Sequence, residues 1–214
     1  FGSLQIWPRV RARKALPRVN WRVLKHGTGM MGVIAYKAGM ATAIVRDKTE
    51  KSMTLNKKIA IPVTVLEIPN MKIYSVRYYK HGKVMKENVV SHDKELKRKL
   101  RVPKQAPSHT LPEVHGWDEV RIIVYSITKD LFKKTPALSE IALHMPNPLE
   151  FVKTHLGKEI SAHEILNWNI VDVRGLTKGK GFSGPVKRFG ISLKSHKSEK
   201  GVRRPGSLGP WHPA

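Results

Sequence analysis

The sequence predicts a mainly-β protein, a small barrel interrupted by an inserted α/β segment and flanked by long basic extensions. Three observations carry this. Short β-branched runs separated by turn residues fill positions 30–69. The middle then mixes strand and helix patterns, and positive charge gathers at both ends. The 214 residues suffice for one large or two small domains with a hydrophobic core.

Residues 1–28 read as an extended basic arm. Pro8 and Pro17 break helices, and Arg9, Arg11, Arg13, Lys14, Arg18 and Arg22 recur without an apolar face. Trp7 and Trp21 are interleaved with them, as in an arm threaded along nucleic acid, with cations on phosphates and rings on bases.

The stretch 30–47 reads as strand–turn–strand, with Lys37-Ala38-Gly39 at the turn, and 59–69 as a strand whose Pro62 suits an edge or a bulge. Turn-separated pieces of this kind favour a barrel over an open doubly wound sheet. Residues 29–69 with 169–178 are therefore assigned to the barrel, because NIVDVRGLTK (169–178) returns to strand character.

The insertion spans 70–168. Strands are expected at 72–80 and 119–128, and a helix over 91–101 with Ser91 or Asp93 as N-cap. A further helix is expected at 147–157, with Asn147 as cap, Pro148 in its first turn and Gly157 at its end; a short one opens at 161–166.

From 174 the chain holds ten basic residues, one acid (Glu199) and eight of the protein's 16 glycines. Its apolar residues are too sparse for a core, so an external partner must order it. Within it, GKGFSG (179–184) matches G-x-G-x-x-G. A dinucleotide site needs that motif to open a helix on a βαβ sheet, and Pro185 with the sequence beyond it offers no helical stripe. TKGKGFSGPVKRFG suits RNA better: its glycines permit close backbone approach, Lys178, Lys180, Lys187 and Arg188 supply counter-charge, and Phe182 and Phe189 stack or brace. Lys194, Lys197, Lys200, Arg203 and Arg204 continue the cationic run towards Trp211, whose surroundings have no apolar periodicity.

Net charge is +24, from 40 Lys and Arg against 16 Asp and Glu. Residues 1–46 carry nine of the cations and no acid. Such a chain repels itself in isolation, so a polyanion is the natural partner. There is no cysteine, which removes disulfides and thiol chemistry, and the ten histidines show no metal-ligand spacing. No enzyme and no cofactor is expected, apart from magnesium ions carried by RNA itself. No apolar run reaches the roughly 20 residues of a membrane-spanning helix, so no membrane partner is expected. Residues 1–25 lack the apolar run of a secretory signal, although the chain does not begin with Met.

GSLQIWPRVRARK, VIAYKAGMAT, IPVTVLEIP, VDVRGLTKGKGFSGPVKRFG and GSLGPWHPA together resemble the universal large-subunit ribosomal protein L-three family, in its archaeal and eukaryotic form with the longer insertion. The resemblance implies an elongation-factor-like barrel, binding to large-subunit rRNA early in assembly, and a cytoplasmic location in the ribosome beside other large-subunit proteins. It implies that residues 179–214 form a loop reaching towards the peptidyl-transferase centre, with Trp211 and His212 at its tip and Arg203 on the approach. A histidine methylated in some relatives corresponds to Glu199, so that modification does not carry over. Family members continue past WHPA with further barrel strands, which must come from elsewhere in the protein or from a second chain. The alternative is a nucleic-acid-binding protein outside the ribosome, such as a chromosomal architectural protein.

Overall fold

The computed structural model describes residues 12, 14–24, 27–104, 111–129, 131–166 and 168–212. The chain divides into two units, Val19–Val171 and the end segments Phe1–Arg18 with Asp172–Ala214.

The larger unit is built on seven strands: β1 (Gly29–Met30), β2 (Tyr36–Arg46), β3 (Lys58–Glu67), β4 (Met71–Lys80), β5 (Lys83–Val89), β6 (Glu119–Ser126) and β7 (Leu138–His144). Five form an antiparallel sheet in the order β1-β7-β6-β4-β5, while among the described residues β2 and β3 pair only with each other. Gly29 and Met30, expected with the barrel, pair with His144 and Leu143 of the inserted segment.

Alternation built the sheet's centre. Val76 pairs with Ile122, and Ile122 with Ile141, so the three share one face. All are buried, as are Met71, Ile73, Val120 and Val124. Each such side chain contributes roughly 1.5–3 kcal/mol of burial. Met71 is closed over by Ile160, with main-chain hydrogen bonds of 3.0 and 2.7 Å in the two directions. β4 and β5 turn on His81 and Gly82, both with positive φ (46° and 70°). Two left-handed residues make the turn whose twist matches the flanking strands.

The β2–β3 pair differs from the expected strand–turn–strand. Lys37-Ala38-Gly39 is no turn: β2 runs through it, with a register shift that leaves Ala38 unpaired as a bulge. The reversal lies instead at 47–57, where Asp47 accepts from the Thr49 N–H and the Ser52 hydroxyl at 2.8 Å each, and from the Thr54 hydroxyl at 2.5 Å. Those bonds, the Thr54 hydroxyl foremost, hold its carboxyl well below the usual carboxylate range. Pro62 sits in a ribbon with no third strand, where its missing N–H is tolerated. Ala41 opposite Val63, Ala43 opposite Ile61 and Val45 opposite Ile59 make one apolar face. Ile61 remains 38% exposed and Val65 49%.

The helix expected over 91–101 is a 3-10 helix, Lys94–Arg98. Asp93 precedes it without capping it, because its carboxylate is taken by the Tyr125 hydroxyl at 2.5 Å and by Lys72 at 3.6 Å. Burial and that carboxylate push the Tyr125 phenol up. α1 (Pro148–His155) has Asn147 as N-cap and Pro148 in its first turn, and Gly157 follows at φ 71°. α2 (Ala162–Ile165) is capped by the Ser161 side chain, which accepts from the His163 N–H.

Residues 169–178 form no strand, contrary to expectation. Ile170, Val171, Val173 and Leu176 are β-branched or apolar, yet exposed, because no strand among the described residues offers them a ladder. The two open sheets are the mainly-β content of the described residues. No helix among those residues is long and apolar enough to cross a membrane.

Candidate nucleic-acid interface

In the end segment from Asp172 onward, local hydrogen bonds shape the chain. After Gly181, at φ 61°, the Ser183 hydroxyl donates to the Lys180 carbonyl at 3.3 Å. The chain then enters α3 (Pro185–Phe189), which the absence of an apolar stripe had argued against. Pro185 does not block it, since proline fits a first helical turn, where its missing N–H is not needed. Gly190 ends it in a left-handed cap at φ 66°, its N–H bonded to the Val186 carbonyl at 2.9 Å. Five helical residues with no strand before them among the described residues make no dinucleotide fold.

Lys194 and Val202 close a second loop through a 3.1 Å main-chain hydrogen bond. Within it Ser195 accepts the Ser198 N–H at its carbonyl (2.9 Å) and the Lys197 N–H at its hydroxyl (3.3 Å). Lys200 and Gly201 reverse the chain with positive φ. The loop therefore carries Lys194, Lys197 and Lys200 outward.

Lys178, Lys180, Lys187, Arg203 and Arg204 are exposed as well, while Arg188 is half-buried with its guanidinium 4.8 Å from the Phe189 ring centroid. None of the named lysines, nor Arg203 or Arg204, is ion-paired among the described residues. Trp211 is 92% exposed and meets the His212 ring edge-on at 6.1 Å between centroids. Lys14 and Arg18 are exposed; Arg9, Arg11, Arg13 and Trp7 lie outside the described residues.

Trp21 departs from its expected role as a nucleic-acid contact. It is buried, with its indole N–H bonded to the Glu140 carbonyl at 3.0 Å.

The contrast with the larger unit is electrostatic. There Glu140 accepts from Tyr79 at 2.5 Å, from Arg77 at 2.9 Å and from Arg121 at 3.3 Å. Arg77 also bonds Glu87, and Arg121 forks onto both oxygens of Glu119. Arg121 stacks 4.1 Å over the Tyr79 ring. Burial alone would raise the Glu140 pKa, but Tyr79 and the two arginines outweigh it and hold it below the usual range. Sequence reading missed this network, since Arg77, Glu87, Arg121 and Glu140 stand on four strands and only the register brings them together.

A sheet that neutralises its own arginines, joined in one chain to a segment whose lysines, with Arg203 and Arg204, form no ion pair among the described residues, has the build of a structural ribonucleoprotein component. The family model described as Ribosomal protein L3 matches residues 1–106 and 112–214. The large ribosomal subunit protein uL3 of Thermoplasma acidophilum is 36% identical over 227 residues, covering 99% of this chain and 68% of its own. That of Archaeoglobus fulgidus is 37% identical over 229 residues, at 99% and 69%. That of Methanocaldococcus jannaschii is 32% identical over 233 residues, with the same coverage.

The chain belongs to the ribosomal protein L3 family. It is a structural ribosomal protein of the cytoplasm, a ribonucleoprotein constituent at work in translation, and not an enzyme.

Proposed function

We propose that the chain binds large-subunit rRNA through its basic ends, supports early assembly of the large subunit, and carries residues 179–214 towards the peptidyl-transferase centre. The observation that carries this reading is the run of exposed cations from Lys178 to Arg204, Arg188 apart, none of which forms an ion pair among the described residues. Such cations gain counterion release on a phosphate backbone. At the tip, Trp211 offers a large flat surface and one N–H donor for packing on bases or ribose edges. Pro205 and Pro210 restrict the strand before it, which lowers the cost of ordering. No cofactor enters this role.

The β2–β3 ribbon is read as part of an elongation-factor-like barrel, with 70–168 as an insertion in it. The apolar face of Val45, Ile59, Ile61, Val63 and Val65, exposed at Val45, Ile61 and Val65, supports that reading, because a two-stranded ribbon cannot cover it. The covering strands come from outside the described residues, in this polypeptide or a second one. Neighbouring large-subunit proteins and rRNA are the remaining partners.

The test is sedimentation. The chain should travel with large subunits and be released by nuclease. Equal affinity for duplex DNA and structured rRNA at about 150 mM salt, a condition where non-specific contacts weaken, would refute the ribosomal reading.

A further inference from the structure

We infer that the larger unit carries a second RNA-binding face, formed by the 3-10 helix Lys94–Arg98, residues 99–104, Lys129 and residues 131–134. It takes the phosphate backbone of large-subunit rRNA, and it rests on the rRNA reading above while lying in a different unit of the chain.

Residues 94–104 contain six cations (Lys94, Lys97, Arg98, Lys99, Arg101 and Lys104) and one acid, Glu95. Leu96 is fully buried and Leu100 half-buried, so the segment is pinned from beneath and all six cations are exposed. The acid does not face them idly. Its carboxylate accepts the N–H and the hydroxyl of Thr128, both at 3.3 Å. Arg98 in turn donates to the Lys134 carbonyl at 2.7 Å. These bonds fix the loop beside the helix and add Lys129 and Lys134, both exposed, to the same cationic region.

None of these eight cations forms an ion pair among the described residues. In the same unit, Arg77 and Arg121 are each paired twice. A merely solvated helix face mixes its signs. Here eight cations are held together against few acids. Glu95 is bonded to Thr128; Asp93 and Glu159, which line a cavity with Lys94 and Lys129, are each paired with Lys72; and the sequence adds Asp130. The excess of positive charge is one that self-repulsion opposes and a polyanion relieves.

An aromatic stands in the same loop. Phe132 is 73% exposed and braced edge-on by the Tyr36 ring at 5.7 Å between centroids. Cations beside an exposed, braced ring match the combination that grips a sugar–phosphate chain while offering a base or ribose a surface. An acidic protein would use the cations and leave the ring without a role.

The experiment uses the full chain and large-subunit rRNA of Archaeoglobus fulgidus. Lys97→Gln, Lys99→Gln and Arg101→Gln are combined, leaving Arg98 and Leu96 in place. The slope of log affinity against log salt should become shallower by roughly 2–3, close to one unit per lost phosphate contact. A second triple variant, Lys194→Gln with Lys197→Gln and Lys200→Gln, reads the end segment separately. An unchanged slope in the first with a shallower slope in the second overturns this face and leaves the rRNA reading intact. No change in either overturns both. Lysine acetylation of the unaltered chain, free and RNA-bound, keeps the inference testable if the first variant misfolds: Lys97, Lys99 and Lys104 should be protected by RNA. Equal labelling in the two states overturns it, whether or not an acidic protein binds there.

Discussion

The indole N–H of Trp21 donates to the main-chain carbonyl of Glu140 at 3.0 Å, joining residues 119 positions apart. The ring also lies against Gly32, where an added Cβ would come within 3.3 Å of it. Trp21 is thus fastened to the sheet. Trp21→Ala should cost about 3–5 kcal/mol in urea unfolding, as large buried truncations do. Trp21→Phe keeps most of the packing and should cost about 1 kcal/mol for the lost donor. Its rRNA affinity should equal that of the parent; a tenfold weakening in the folded Phe variant would return Trp21 to the RNA interface.

Acid should loosen the larger unit. The Glu140 and Asp47 carboxyls are both depressed in the fold, so the unfolded chain takes up protons first as pH falls. Their stabilisation is complete above the ordinary carboxylate range, near pH 4, and is lost as pH drops through the folded values. Glu140→Gln should cost about 1–3 kcal/mol at neutral pH, because Arg77 and Arg121 each keep another carboxylate. The variant should also lose stability less steeply in acid. Urea midpoints across that range check this, and adding Asp47→Asn should flatten the curve further.

At Gly82 two effects coincide. Its φ of 70° disfavours a side chain, and a Cβ there would fall 1.6 Å from the guanidinium carbon of Arg22. Gly82→Ala should cost about 1–2 kcal/mol, the left-handed strain accounting for most of it. In an Arg22→Ala background the penalty should shrink to the strain alone. Equal penalties in the two backgrounds would show that Arg22 simply swings away.

Trp211→Ala should leave stability unchanged within about 0.5 kcal/mol, as surface substitutions do, since the ring is 92% exposed. Ribosomes carrying it should assemble and accommodate aminoacyl-tRNA abnormally. Normal elongation and drug sensitivity would make the tip passive.

What could be read in advance followed the strength of local pattern. β4 and β6 announced themselves because KIYSVRYYK and EVRIIVYS are rich in β-branched and aromatic residues, which the sheet then buries along most of both strands. β5 escaped because an edge strand reading Lys-Val-Met-Lys-Glu-Asn-Val is mostly solvent-facing and shows no such rhythm. Residues 169–178 deceived for the opposite reason. Ile170, Val171 and Val173 have strand propensity, but a strand exists only where another pairs with it. The exposed cations of the end segment were legible as charge without acid. Those of 94–104 were not singled out, because only the bonds of Glu95 to Thr128 and of Arg98 to Lys134 distinguish a fixed face from a solvated one.

The bare side of the β2–β3 ribbon sets a rule for supply. Among the described residues both of its strands are edges, and an edge without its covering strands can accept a like strand from another copy. Copies whose covering strands are not in place would zip together, so excess polypeptide is expected to aggregate until those strands are supplied.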